Sequence, residues 1–123
     1  RGPLRMAAYT IVHRDDCERA GDWSLVRRSL ELSSFGINLV EIPPDEGIPE
    51  HDEIDRDQEE VFFVVNGRPT IVVDDEEIEA PEGTFVRVDV MARRTVRNEG
   101  SDPVSVLVIS APQSSGYEPM SWA

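Results

Sequence analysis

The sequence predicts an all-β domain, either a sandwich or a closed barrel. Segments rich in β-branched and aromatic residues recur about every eight to twelve residues, separated by turn residues, as is typical of such folds. Helix signals are weak, because only 16–32 could form a short helix and Gly21 interrupts it. The run "VFFVV" at 61–65 is apolar on both faces, which suits a strand buried between sheets or covered by another subunit.

The predicted strands follow one another along most of the chain. The first strand, 37–42, ends at two prolines, and the second, 59–66, ends at Gly67, which turns the chain. The acidic stretch at 74–77 is expected to be a hairpin turn, and "PEG" at 81–83 is another turn. The remaining predicted strands are 69–74, 77–80, 84–89, 93–98 and 104–110.

The chain has 123 residues, enough for one compact domain with one core. We expect a barrel over 36–111, a short N-terminal extension over 1–35 and an extended C-terminal tail over 112–123. Residues 1–5 are expected to be an artificial leader before a native start at Met6. No apolar run approaches the length of a membrane-spanning helix, and the N-terminus lacks the apolar centre of a signal peptide.

Composition excludes several classes of partner and chemistry. The net charge of −13 argues against nucleic acid and anionic membranes as partners, because both would repel the chain. All twelve basic residues are arginines, which rules out Schiff-base and P-loop lysine chemistry. The single cysteine, Cys17, cannot form an intramolecular disulfide, so a reducing cytoplasm is the expected compartment.

Polar side chains with the chemistry of a site lie on or shortly before two of the predicted strands, 59–66 and 93–98. His51 and Glu53 are two residues apart, and residues i and i+2 of a strand point to the same face. Glu60 opens the next strand and can join them if that strand lies alongside. Arg94 lies on the strand over 93–98, where it shares a face with Val96 and Asn98.

The first of these regions resembles the first motif of the cupins, small proteins with a double-sheet jelly-roll barrel. That motif reads Gly, five residues, His-x-His, three or four residues, Glu, six residues, Gly. The corresponding positions in this chain are Asp45, His51, Glu53, Glu60 and Gly67.

The second cupin motif reads Gly, five residues, Pro-x-Gly, two residues, His, three residues, Asn. This chain has fifteen residues between Gly67 and the start of this motif, close to the short spacing of bacterial cupins. The corresponding positions are Gly83, Asp89, Met91, Arg94 and Asn98. The resemblance covers 36–111 and implies a small single-domain bacterial cupin, a double-stranded β-helix with a short N-terminal extension.

The resemblance implies a degenerate metal site. Cupins usually hold a metal with two His and a Glu from the first motif and a His from the second. Matched residue by residue, His51 and Glu60 are retained, whereas Glu53 and Arg94 stand where the other two His would be. The spacer from Glu53 to Glu60 is two residues longer than the usual maximum, which predicts a displaced Glu60.

Arg94 is the main objection to a metal. A guanidinium has no lone pair to donate, and it would compete with a cation for Glu53 or Glu60. Two unit charges about 4 Å apart interact by roughly 4 kcal/mol at an effective dielectric of about 20. We therefore expect no cofactor. The alternative is a divalent transition metal, Fe, Mn, Zn or Ni, held by His51, Glu53 and Glu60 in a dioxygenase, isomerase or lyase.

Without a metal, two interpretations of the cluster remain open. The cluster is a structural network left in the barrel, or it binds a small and possibly anionic molecule through His51, Glu53, Glu60 and Arg94. His51 is then the candidate catalytic residue, as a proton carrier. The function predicted is small-molecule binding, with enzymatic activity left open. The apolar run at 61–65 and the habit of the family predict a homodimer.

Overall fold

A computed structural model describes residues 2–6 and 8–123. Arg1, part of the leader expected before Met6, lies outside the described residues. The early strands are β1 (Leu4–Arg5), β2 (Thr10–Ile11), β3 (Arg19–Ala20), β4 (Trp23–Ser24) and β5 (Gly36–Ile42). A 3-10 helix over Arg14–Asp16 and the α-helix α1 (Val26–Leu30) precede β5. The later strands are β6 (Gln58–Asn66), β7 (Thr70–Val73), β8 (Glu76–Glu79), β9 (Phe85–Val88), β10 (Arg94–Arg97) and β11 (Val104–Pro112).

The strands form an antiparallel jelly roll, which confirms the predicted fold class. A six-stranded sheet has the order β3-β4-β5-β11-β6-β9, and a three-stranded sheet has the order β10-β7-β8. A separate pair, β1-β2, lies in the N-terminal extension. Each of the seven strands predicted from the sequence is present, with bounds that differ by no more than two residues.

The core lies between the two larger sheets. Along β11, Val104, Val106 and Val108 are buried and their neighbours are less so, as expected when alternate residues face opposite sides of a sheet. The register places Val106 opposite Val64 and Val108 opposite Phe62, both fully buried. The rest of the cluster is Val40, Ile42, Ile48, Ile71, Ala80, Val88, Ala92 and Val96.

Two tight turns fix the ends of the central strands. Asp74 and Asp75 have φ values of 47° and 69°, so the acidic hairpin between β7 and β8 is a two-residue turn in the left-handed region, as predicted. Gly67 has φ of 88°, and a Cβ there would lie 2.6 Å from Val104 Cγ1. Glycine at position 67 is therefore required both by the backbone and by the close approach of β11.

The N-terminal extension contributes to the barrel. β4 pairs with β5, and β3 pairs with β4, so the extension adds two short strands to the edge of the six-stranded sheet. The sequence did not predict them because a two-residue strand shows no alternation. α1 lies within the segment where a short helix was expected. The described part of the C-terminal tail, 113–123, forms neither helix nor strand. No helix among the described residues is long and apolar enough to cross a membrane.

Candidate functional site

The backbone places His51 directly beside Arg94. The His51 N–H donates to the carbonyl oxygen of Arg94 at 3.0 Å, and the Arg94 N–H donates to that of His51 at 2.7 Å. This single antiparallel bridge joins the segment before β6 to the start of β10. The two cupin-like motifs, which are far apart in sequence, therefore supply adjacent side chains.

The long spacer before Glu60 does not displace it. A 3-10 turn over Ile54–Arg56 and a left-handed Asp57, with φ of 53°, shorten the path from Glu53 to β6. The Gln58 N–H then donates to the Glu53 carbonyl oxygen at 3.3 Å. Ligand atoms of His51, Glu53 and Glu60 all lie within 4.8 Å of one another. The expectation of a displaced Glu60 was wrong, because the turn takes up the extra residues.

His51 points one ring nitrogen at the two carboxylates. Its Nε2 lies 3.4 Å from Glu53 Oε2 and 3.9 Å from Glu60 Oε1. Its Nδ1 lies 3.0 Å from the carbonyl oxygen of Pro49, which can only accept. In the neutral ring, Nδ1 therefore carries the proton and Nε2 presents a lone pair to the carboxylates.

Each carboxylate faces an arginine. Arg94 is fully buried, and its Nη1 lies 3.8 Å from Glu60 Oε1 while its Nη2 donates to the carbonyl oxygen of Asp89. Arg56 reaches in from the surface, and its Nε donates to Glu53 Oε1 at 3.1 Å. Among the described residues, Arg94 Nε, Arg94 Nη1 and Glu60 Oε1 have no hydrogen-bond partner. The cluster thus holds unsatisfied donors and an acceptor in its interior.

Burial raises the pKa of Glu60 above its usual value. The guanidinium of Arg94 lowers this pKa, but by less than the loss of hydration raises it. The nearby carboxylate of Glu53 raises the pKa of Glu60 further. The neutral acid is therefore favoured at Glu60 more than it is in water.

A cavity of about 480 Å³ opens above the cluster on the inner side of the six-stranded sheet. His51 and Glu60 reach its wall, whereas Glu53 and Arg94 do not line it. Arg56, Arg27 and Gln58 add polar groups that sequence reasoning missed. The sequence offered no signal for Arg27, which precedes the motifs, or for Arg56, which lies in the spacer between Glu53 and Glu60. The other lining residues are Trp23, Leu25, Gly36, Asn38, Ile48, Phe62, Val108 and Ser110.

The fold and the cluster define a class: a small one-domain jelly roll with an internal His, two acids and an arginine. A family model described as "Cupin domain" matches residues 38–110, more than half of the chain. The chain therefore belongs to the cupin family, as a small single-domain cupin. No curated protein sequence gives a significant match.

Solved structures with the same fold cover most of the chain. A cupin protein from Bacteroides fragilis has a TM-score of 0.79 and 21% identity, covering 95% of this chain and 94% of its own. A Photorhabdus luminescens protein has a TM-score of 0.69 and 18% identity, with coverages of 89% and 92%. A sugar phosphate isomerase from Silicibacter pomeroyi has a TM-score of 0.66 and 22% identity, with coverages of 74% and 59%. These likenesses show the fold alone.

The metal that cupins often bind can be tested against these side chains. His51, Glu53 and Glu60 supply three ligand atoms close enough to share one ion, and the lone pair on His51 Nε2 suits ligation. However, Arg56 already binds Glu53, and the buried charge of Arg94 lies beside Glu60. A dication would have to displace one guanidinium and lie close to the other. The donor set therefore fits a weakly held divalent cation and does not fit a tightly held one.

Proposed function

We propose that this cupin binds a small organic anion in the barrel cavity, without a tightly held metal. The cavity has the size and the mixed lining of a small-molecule site. Apolar walls from Ile48, Phe62 and Val108 suit a compact carbon body, while Asn38 and Ser110 offer hydrogen-bonding groups.

The observation that carries the proposal is the balance of charge around the cavity. Arg27 and Arg56 line it, against a single lining acid, Glu60. Even with that acid ionised, the lining residues of the cavity carry a net positive charge, although the whole chain is strongly acidic. Arg56 already binds Glu53 through Nε and Nη2, so an anionic group of the ligand is expected at its remaining Nη1, in a charge-assisted hydrogen bond. The imidazole ring of His51 lies within the same wall, and imidazole is a group that can accept or donate a proton.

A divalent cation at His51, Glu53 and Glu60 is the second candidate. The clustering of three ligand atoms and the unpartnered Glu60 Oε1 favour it. A metal-dependent enzyme would use that ion to polarise a bound oxygen of its substrate. Arg56 and Arg94 oppose a metal at these residues, so we prefer anion binding as the proposed function.

Replacing Arg56 by glutamine is expected to weaken the binding of a small aromatic carboxylate by about 10-fold or more, since a charge-assisted hydrogen bond contributes about 1.5–3 kcal/mol. Calorimetric titration with benzoate, and with benzamide as its neutral counterpart, measures the effect. The wild-type protein should prefer benzoate, and Arg56→Gln should lose that preference.

The matched control is Arg87→Gln, because Arg87 is also exposed and paired to a glutamate, Glu59, but lies on the outer side of the sheet. It should leave benzoate affinity unchanged. Equal affinity for benzoate and benzamide in the wild-type protein would count against the proposal. So would a benzoate affinity that survives the loss of Arg56.

A further inference from the structure

Arg27 differs from the other arginine that lines the cavity because no acid neutralises it. Among the described residues, every arginine except Arg19 and Arg27 has an acidic side chain as a partner. Arg19 does not line the cavity, whereas Arg27 does. The Arg27 guanidinium donates through Nη1 to the carbonyl oxygen of Leu32 at 3.1 Å. Its Nε and Nη2 have no partner among the described residues, although acids outnumber basic residues 25 to 12 in the chain.

The two cavity arginines come from opposite sides of the cavity floor. Arg27 lies on α1, which lies against β5, and Arg56 lies two residues before Gln58, where β6 begins. β5 and β6 flank β11 in the six-stranded sheet, so they are two strand spacings, about 10 Å, apart. The cavity therefore has a cationic group on each side and not a single cationic cluster.

The floor between the two arginines is continuous from β5 to β6. Side chains of β5, β11 and β6 form it in two rows that are set by the strand register. The first row is Gly36, Ser110 and Glu60, and the second is Asn38, Val108 and Phe62. A Cβ at Gly36 would lie 2.6 Å from Ser110 Oγ, so glycine at this position leaves room for that hydroxyl on the floor. One ligand lying across these rows can reach both sides of the cavity.

We propose that the ligand of this cavity is a dianion, with one anionic group at Arg56 Nη1 and a second at Arg27. The Nε and Nη2 of a guanidinium point the same way and can bind both oxygens of one carboxylate, and in Arg27 both are free of protein partners among the described residues. Ile48, Phe62 and Val108 suit a short carbon chain joining the two anionic groups. The proposal rests on the proposed function, because it adds a second anionic group to the ligand of the same site.

Calorimetric titration with succinate, adipate and suberate tests the proposal, each compared with the monocarboxylate of equal carbon number. Three chain lengths are used because both arginines have flexible side chains that set the spacing of their charges. At least one dicarboxylate should bind the wild-type protein about 10-fold or more tightly than its monocarboxylate, since a second charge-assisted hydrogen bond adds to the first. Arg27→Gln should abolish this advantage and leave the affinity for the monocarboxylates unchanged.

Two further variants separate the charge of Arg27 from its place on α1. Arg27→Lys keeps a cation but loses the planar pair of donors, so it should retain part of the dicarboxylate advantage. Arg28→Gln is the matched control, because Arg28 is the next residue of α1, is also exposed and does not line the cavity. Arg28 is paired to Glu18 at 3.2 Å, and its replacement should leave the advantage unchanged.

The outcomes distinguish this proposal from the proposed function. A wild-type protein that binds each dicarboxylate no more tightly than its monocarboxylate overturns the proposal, as does an advantage that persists in Arg27→Gln. The proposed function stands after either result if benzoate binding still depends on Arg56. A wild-type protein that does not prefer benzoate to benzamide removes the proposed function, and the dianion proposal falls with it.

Discussion

Replacing Arg94 by methionine is expected to lower the free energy of unfolding at pH 7 by about 3–5 kcal/mol. Methionine has a similar length but leaves Glu60, only 6% exposed, without the cation that lies beside it. It also removes the bond from the guanidinium to the carbonyl oxygen of Asp89. Urea unfolding of both proteins measures the loss. Arg93, the exposed neighbour of Arg94, supplies the control. Arg93→Met should lower the free energy of unfolding by far less than Arg94→Met does.

The free energy of unfolding lost in Arg94→Met should depend on pH in a defined direction. The pKa of Glu60 is already raised in the folded state. A raised pKa means that this group favours the folded state at pH values below its unfolded-state pKa. That contribution to the free energy of unfolding is lost as the pH rises through the folded-state pKa. Without Arg94 the pKa rises further, and the destabilisation should shrink as the solution is acidified. Adding Glu60→Gln to the Arg94→Met protein should recover part of the loss at pH 7. A loss below about 1 kcal/mol would show that Arg94 is not the counter-ion of the cluster.

Replacing Phe62 by alanine is expected to cost about 3–5 kcal/mol of folding free energy. Phe62 lies on β6, the strand between β11 and β9, and its side chain is fully buried. The same side chain forms part of the cavity wall. Its removal takes apolar surface out of the core and leaves a void that the sheets cannot fill. Thermal and urea unfolding measure the loss.

Phe35→Ala is the control for Phe62→Ala, because Phe35 is 41% exposed and precedes β5. Phe35→Ala should lower the free energy of unfolding by about 1 kcal/mol or less. If Phe62→Ala unfolds at the same denaturant concentration as the wild-type protein, the core is not packed as described here. A stable Phe62→Ala protein would also be expected to accept bulkier carboxylates than benzoate, since the cavity gains the volume of the ring.

The fold could be predicted from the sequence because its signals are local. Alternating or doubly apolar segments mark the strands, and Pro43, Gly67 and the acidic pair at 74–75 mark where strands end. The same local signals place Val96 on the buried face of β10 together with Arg94, and Asn98, which follows the strand, is buried as well. The sequence did not predict the four strands β1 to β4, because a strand of two residues shows no period.

The candidate site could be predicted only in part, because its geometry depends on contacts between distant segments. The i, i+2 spacing of His51 and Glu53 and the resemblance of Glu60 and Arg94 to cupin motif positions indicated a shared site. The structure brings all four residues together. The path of the spacer was not visible, because it depends on the 3-10 turn before Asp57. The roles of these side chains in binding stay a prediction.

The metal content of the wild-type protein and of Arg94→His, both purified without tag or chelator, shows directly what the buried guanidinium does. At position 94 it balances the two acids and denies the cluster a fourth donor. The wild-type protein should hold well under one transition-metal ion per chain, whereas Arg94→His, with a further imidazole and no fixed charge, should approach one. About one tightly held ion per wild-type chain, lost in His51→Ala, would show that Arg94 does not keep a metal out of the cluster.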